Sequence, residues 1–387
     1  MRPVRVQRVP IAAIEGCELA SFCWCNTNNH RDTKKGKELT DEAYCAAVSA
    51  THFDKWFPVL RGLGGDRFDK CHVVRVSAEQ IQRFLKPARQ AVQNGVSAAQ
   101  LFHEELATLA AELIEAQPPL AEGPSAAGWF VRTDSCSPKD AELDGGAGPH
   151  RSLLEVLIAV AGSQRCHAGM GSYRVTRGPG GMSIYLMPFD CEVTTRRELR
   201  VFVDRGVVTA FTQYSWTDAE SVFCTMSDRA LASVAWAVDA FQRTSVHPLW
   251  TAAGGVASYV MDVECVVAKG TVAEDEACVD LRLIELNSFG AELAAASGLF
   301  HWVRDATLLY RRDREAVRGQ LQPLCARVLE APSGSVTGSR SNEALVHVLH
   351  HCSYCGRNAF AADFVGQPVR AMDAYLQKHI SGSCVAV

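Results

Sequence analysis

The strongest constraint on this chain is a series of short apolar runs between residues 128 and 290: GWFVRTD, GMSIYLMPF, RELRVFVDRGVVTAFTQYSW, YVMDVECVVA and VDLRLIELNSFG. Each is rich in β-branched and aromatic residues, the composition of strands rather than helices. Asp204, Arg205 and Gly206 turn one run back on the next, and the acidic loop between Lys269 and Asp280 does the same for the last pair, so antiparallel hairpins are expected. Helical signals lie between and before these strands. Ser77 is placed as an N-cap with Gln80 as its capping-box partner. Residues 97–116 carry Leu101, Leu106, Leu109 and Leu113 at helical spacing until Pro118 and Pro119, and residues 229–243 form a further amphipathic helix. The glycines of GPGGM read as a loop between strands. The expected fold class is α+β, with mostly antiparallel sheets and flanking helices.

At 387 residues the chain can bury a substantial core, as one large domain or two ordinary ones. Residues 1–50 include the polar stretch NTNNHRDTKKGKELTDE and are expected to form an N-terminal arm. Residues 51–325 carry the main domain, residues 326–341 a linker around APSGSVTGSRSNE, and residues 342–387 a small C-terminal appendage. No apolar run is long enough for a membrane-spanning helix. The net charge of −4 provides no bulk attraction to nucleic acid or an anionic membrane, so neither is an expected partner. Glu15 and Glu18 interrupt the first apolar stretch and argue against a secretory signal, although the early arginines are compatible with an organelle presequence. Fifteen cysteines show no regular disulfide spacing and most sit singly in apolar runs, which points to a reducing, cytoplasmic setting.

The chemistry is carried by acids inside strands. Asp262 lies in YVMDVEC, and Glu285 and Asn287 lie two apart in LIELNSFG, so the latter two share a face. If the two runs pair, Asp262 joins them, and three hard oxygen donors suit Mg²⁺ completed by water and phosphate oxygens. The plainer alternative is solvated acids near a hairpin end. Against it, a carboxylate within so apolar a run is costly unless it has a partner. Arg132 and Arg200 also lie in strand-like runs, where a guanidinium can grip phosphate oxygens, although the wet face of an antiparallel sheet accounts for either arginine alone. Neither a GxxxxGK[ST] loop nor a GxGxxG fingerprint occurs, which argues against a Walker NTPase and a Rossmann dehydrogenase.

The segments DKWFPVLRGL, FVRTDSCSPKDA, ELRVFVDRGVVTAFTQYSW, YVMDVE and LIELNSFG, in that order, resemble the eukaryotic cell division cycle protein 123 family over about residues 53 to 305. The resemblance implies an ATP-grasp-like fold. It places Arg132 where a lysine usually contacts ATP phosphates, Asp134 in the place of an asparagine, and Ser137, Lys139 and Asp140 in a phosphate-side loop. Met187 to Phe189 would be the adenine hinge, Arg200 and Gln213 would face the phosphates and the site floor, and Asp262, Glu285 and Asn287 would hold Mg²⁺. The chain departs from the family pattern at Arg132, Glu285 and Ser288, and in a hinge without a basic residue. The implied function is that of an ATP-binding, non-catalytic assembly factor for the gamma subunit of eukaryotic translation initiation factor 2. The competing reading is an ATP-grasp carboxylate-amine or peptide ligase acting through an acyl phosphate.

Beyond the linker, Cys352 and Cys355 form a CxxC, and His379 and Cys384 complete a candidate zinc set. The alternative is a reduced CxxC with unrelated downstream residues. Zinc is favoured because so small an appendage has little core of its own.

Overall fold

The computed structural model describes residues 2–10, 41–64, 68, 70–124, 126–177, 180–216, 218–267, 279–290, 293, 295–302, 305–311, 322–330 and 381–385. The strands are β1 (Val4–Val9), β2 (His72–Val76), β3 (Trp129–Thr133), β4 (Met182–Pro188), β5 (Glu198–Asp204), β6 (Val207–Gln213), β7 (Tyr259–Val267), β8 (Val279–Ser288), β9 (Leu324–Leu329) and β10 (Ser381–Val385). Two compact units result: Thr40–Glu192, and Met1–Leu39 together with Val193–Val387. The class is α+β, with antiparallel pairing dominant.

In the unit Thr40–Glu192, β4 lies between β2 and β3 in an antiparallel sheet. Both capping-box bonds form, Gln80 N–H to Ser77 Oγ at 3.1 Å and Ser77 N–H to Gln80 Oε1 at 3.0 Å. The helix Ala98–Ala116 starts at Ser77's counterpart Ser97 and buries Leu106, Leu109 and Leu113. Leu101 stays half exposed, because non-helical backbone at Phe102 (φ −133°) breaks the phase of the apolar stripe. Two helices, Leu153–Gly162 and Gln164–Arg177, separate β3 from β4, so Gly180 and Gly181 of GPGGM lie between a helix and β4 rather than between two strands. The first is apolar on nearly every side and packs into the core beside Ala98–Ala116.

The other unit is built on a seven-stranded sheet ordered β10-β1-β9-β6-β5-β7-β8. Asp204 pairs with Val207 across a two-residue turn in which Arg205 and Gly206 both have positive φ (50° and 75°), the geometry that matches strand twist. The pairs β5–β7 and β7–β8 are antiparallel as well. β9 runs parallel to both β1 and β6 and is buried along its whole length. The helix Asp228–Phe241 packs on β1, β6 and β9 through Ala230, Leu231, Val234 and Val238. Phe202, Phe300, Trp302 and Phe289 form an edge-to-face aromatic cluster with ring centroids 5.0 to 5.5 Å apart.

Two expected boundaries change. Residues 4–9 of the N-terminal arm are an interior strand, and residues 326–329, expected to open the linker, lie in β9. Each is a short run whose place in the sheet depends on partners more than 200 or 100 positions away in the chain, such as β9 for β1 and β6 for β9, and no local turn signal marks it. The bulk of the arm and linker, the loop 268–278 and the basic stretch after Tyr310 lie outside the described residues, as do Cys352, Cys355 and His379. The backbone of Cys384 is in β10, paired with Arg5. Among the described residues no helix is long and apolar enough to cross a membrane.

Candidate functional site

The strand register of the larger unit sets side chains from six strands in one line. Gln7 on β1 stands opposite Arg327 on β9, Arg327 opposite Thr212 on β6, and Thr212 opposite Arg200 on β5; Arg200 then faces Asp262 on β7, and Asp262 faces Glu285 on β8. Directly paired positions share a sheet face, so these residues form a polar row across an otherwise apolar sheet. The expected convergence of Asp262 with Glu285 is therefore met in register. A bulge follows at once: Val263 pairs with Leu283, leaving Ile284 as the extra residue beside Glu285.

Arg200 and Asp262 form a two-point ion pair, Nε to Oδ1 at 2.9 Å and Nη2 to Oδ2 at 2.8 Å. Asn287 donates its side-chain N–H to the same Oδ2 at 3.0 Å. Arg200 also donates through Nη1 to the Ala296 carbonyl at 2.9 Å and lies over the Tyr214 ring at 4.9 Å. Burial disfavours its charge, but the Asp262 carboxylate more than compensates, and the guanidinium pKa lies above its ordinary value. Glu285 is half-buried at the end of the row.

A magnesium ion at this end of the row would draw on the carboxylate oxygens of Asp262 and Glu285 and on the amide oxygen of Asn287, whose N–H is on Asp262. With Arg200 alongside, these side chains carry a net charge of only about −1, too little for a cage made of protein alone but suited to an ion shared with anionic phosphate oxygens. Among the described residues no group of three or more His, Cys, Asp or Glu side chains is placed to hold a metal.

Gln213, at the end of β6, has a buried amide tied into the fold. It donates to the Ser215 and Asp218 carbonyls at 2.9 Å each and accepts from the Leu329 N–H at 2.9 Å. Sequence reasoning passed over Arg327, which is buried and held by Gln7 (2.8 and 2.9 Å) and by Asp305 (2.8 and 3.1 Å), with its guanidinium 4.1 Å from the Phe300 ring centre. The available signal was a charge inside the apolar run LCARVL, the same signal that marked Asp262.

In the unit Thr40–Glu192, Arg132 is buried on β3 with its guanidinium 4.8 Å from the Phe53 ring centre and 5.1 Å from that of Trp56. Phe53 meets Tyr185 edge to face at 4.5 Å. Asp134 is buried and accepts from the Ser183 N–H at 2.8 Å and the Tyr185 hydroxyl at 3.3 Å, and burial together with Asp134 pushes the Tyr185 pKa up. Ser137 is buried and Lys139 exposed. Asp140 accepts from Ser163 Oγ at 2.5 Å and the Arg165 N–H at 3.1 Å, anchoring the start of the helix Gln164–Arg177. Met187 is buried on β4 opposite Phe130, and the Phe189 N–H donates to the Gly128 carbonyl at 3.0 Å. The structure thus commits the side chains of Asp134 and Asp140 to strand and helix anchoring.

No model of a protein family matches the sequence, and no curated protein matches it. Among solved structures the chain is similar to the C-terminally truncated Cdc123 from Schizosaccharomyces pombe, at 15% sequence identity and a TM-score of 0.44, with 74% of this chain and 98% of that chain covered. It is likewise similar to Cdc123 from the same organism, at 15% identity and a TM-score of 0.42 over 74% and 98% of the two chains.

Proposed function

We propose that this chain is a Mg·ATP-binding assembly factor of the cell division cycle protein 123 type, cytoplasmic, which binds the gamma subunit of eukaryotic translation initiation factor 2 and promotes assembly of the heterotrimer. The observation that carries the nucleotide part is the register that brings Arg200, Asp262 and Glu285 into line on three adjacent strands, with Asn287 on the same carboxylate. The identity of the partner rests on the order of the five sequence motifs.

In this reading Asp262, Glu285 and Asn287 hold magnesium, whose chemistry when bound is to neutralise phosphate charge. Arg200 fixes the Asp262 carboxylate in one orientation through its two-point bond. Beyond its three hydrogen bonds to Asp262 and Ala296, its fork retains N–H groups that can meet a phosphate oxygen. Zinc in the C-terminal segment is proposed on the Cys352, Cys355, His379 and Cys384 spacing, and metal analysis of the full chain with and without Cys352→Ser tests it.

Calorimetric ATP titration with and without Mg²⁺, on the parent and Glu285→Gln, tests the nucleotide site. The expected result is Mg²⁺-dependent binding weakened at least about tenfold by the substitution, and equal affinity for the two chains sinks the assignment. Capture of the purified gamma subunit tests the partner. Acceptor-stimulated ADP release from amino acids or peptides, without gamma-subunit binding, would replace this reading with the ligase.

A further inference from the structure

Two cysteines face each other inside the unit Thr40–Glu192. The sulfurs of Cys136 and Cys166 are 3.8 Å apart and both residues are buried. Their backbones are fixed independently. Thr133 Oγ1 donates to the Cys136 carbonyl at 3.0 Å and accepts from the Cys136 N–H at 3.3 Å, holding the turn after β3. In the first turn of the helix Gln164–Arg177, the Cys166 N–H donates to Ser163 Oγ at 3.1 Å. The two segments also touch closely at Gly169, where a Cβ would fall 2.1 Å from Ser135 Oγ, so the turn lies against the helix.

The pair differs in kind from the other buried thiols. Burial pushes Cys224 and Cys325 up to about 11 and Cys265 up to about 12, as expected of inert core cysteines. Cys136 is instead lowered, first by its hydrogen bond with Cys166, then through the charge of Arg165 and the hydroxyls of Ser135 and Thr133, which together outweigh burial. The same bond raises Cys166. The Ser135 hydroxyl donates to the Cys136 sulfur at 3.7 Å, which favours the thiolate there, and a thiolate in contact with a second thiol is placed for disulfide chemistry. Cys136 is also the member with residual exposure, 7% against 0% for Cys166.

We propose that Cys136 and Cys166 are a reversible dithiol–disulfide pair that a peroxide oxidises, Cys136 acting as the attacking thiol and Cys166 as the resolving one. In the first step the Cys136 thiol gives up its proton, its sulfur bonds to one peroxide oxygen, the O–O bond breaks, and the released hydroxide takes up that proton and leaves as water. In the second, Cys166 attacks the resulting sulfenic acid, the S–S bond forms, and the hydroxyl departs as water with the Cys166 proton. Two thiols are oxidised by two electrons and one peroxide is reduced to two waters. The sulfurs close from 3.8 Å to about 2.0 Å, tying the segment 135–140 to the helix that Asp140 already anchors.

The test uses the full-length reduced chain, treated with an equivalent of hydrogen peroxide, alkylated, digested without reductant and mapped by mass spectrometry. The expected product is a Cys136–Cys166 linked peptide, two hydrogens lighter than the separate peptides, that disappears on treatment with dithiothreitol. Recovery of both cysteines alkylated, or of Cys136 over-oxidised without a link, overturns the proposal. In Cys166→Ser, Cys136 is expected to accumulate as a sulfenic acid trapped by dimedone. Absence of that adduct in a variant with the parent's circular dichroism overturns the assignment of Cys136 as the attacking thiol.

Discussion

Arg200 and Asp262 stand directly opposite each other on neighbouring antiparallel strands, joined by hydrogen bonds of 2.9 and 2.8 Å, and the carboxylate is wholly buried. Such a pair is a poor source of net stability, because removing both charges from water offsets most of their attraction. Its worth is positional. Asn287 on the same carboxylate and Glu285 one strand further on make the pair the fixed corner of a polar cluster.

Breaking one side of that corner is expected to be costly. Asp262→Ala leaves the Arg200 charge buried, and the expected loss is about 3–5 kcal/mol, read from urea denaturation, with a smaller loss for Asp262→Asn. A change within about 0.5 kcal/mol for the alanine variant, the range of an ordinary surface substitution, would mean that Arg200 reaches solvent. For this reason Glu285→Gln, at a half-buried position, is the cleaner probe of nucleotide binding.

The β5–β6 turn offers a stabilising change. Arg205 adopts positive φ (50°) beside Gly206, a conformation that costs an ordinary L-residue about 1–2 kcal/mol and that asparagine tolerates. Arg205→Asn is expected to raise stability by about 0.5–1 kcal/mol. An unchanged or lower denaturation midpoint would contradict that reading of the turn.

Ser163 both accepts from the Cys166 N–H and donates to Asp140, at the start of the helix Gln164–Arg177. Ser163→Ala is expected to cost about 0.5–2 kcal/mol. Asp140→Ala in the same background adds less than its effect alone, because the two side chains share one hydrogen bond besides those each makes to the helix backbone. Strict additivity in a double-mutant cycle would show that they act independently.

His167 carries a pH dependence. Its pKa is lowered, chiefly by burial, against the opposing effect of its bond to the Ala161 carbonyl at 2.8 Å. The unfolded chain therefore takes up a proton near about pH 6.5 that the native chain refuses, and stability falls as pH drops through that value. His167→Gln keeps a donor for the carbonyl but has nothing to titrate. Its midpoint is expected to decline less than the parent's between about pH 7.5 and about pH 5.5; parallel declines would remove His167 as a source of the slope.

Much of the architecture is legible locally. The Ser77–Gln80 capping box, the Ala98–Ala116 helix and the hairpin at Arg205–Gly206 follow from side chains within a few residues of one another, and each is present. The helix Leu153–Gly162 carries no such mark. Its residues are apolar on nearly every side, so it has no periodic stripe by which to distinguish it from a buried strand. For β9 the difficulty is distance: its partners Gln7 and Thr212 are far away in the chain.

The same division holds at the site. Sequence alone determined that Arg132, Arg200, Asp262 and Glu285 are charges set in apolar strands, because a buried charge demands a partner wherever the strand goes. It could not name the partners. Tertiary structure decided that Asp262 meets Arg200 and Asn287, that Arg132 lies against Phe53 and Trp56, and that Arg327 meets Gln7 and Asp305. It also brought Cys136 against Cys166, thirty positions apart in the chain. The physical reason is that the cost of burying a charge or polar group is set by residue type and local pattern, whereas the group that relieves it is set by strand register and helix packing, which only the assembled fold specifies.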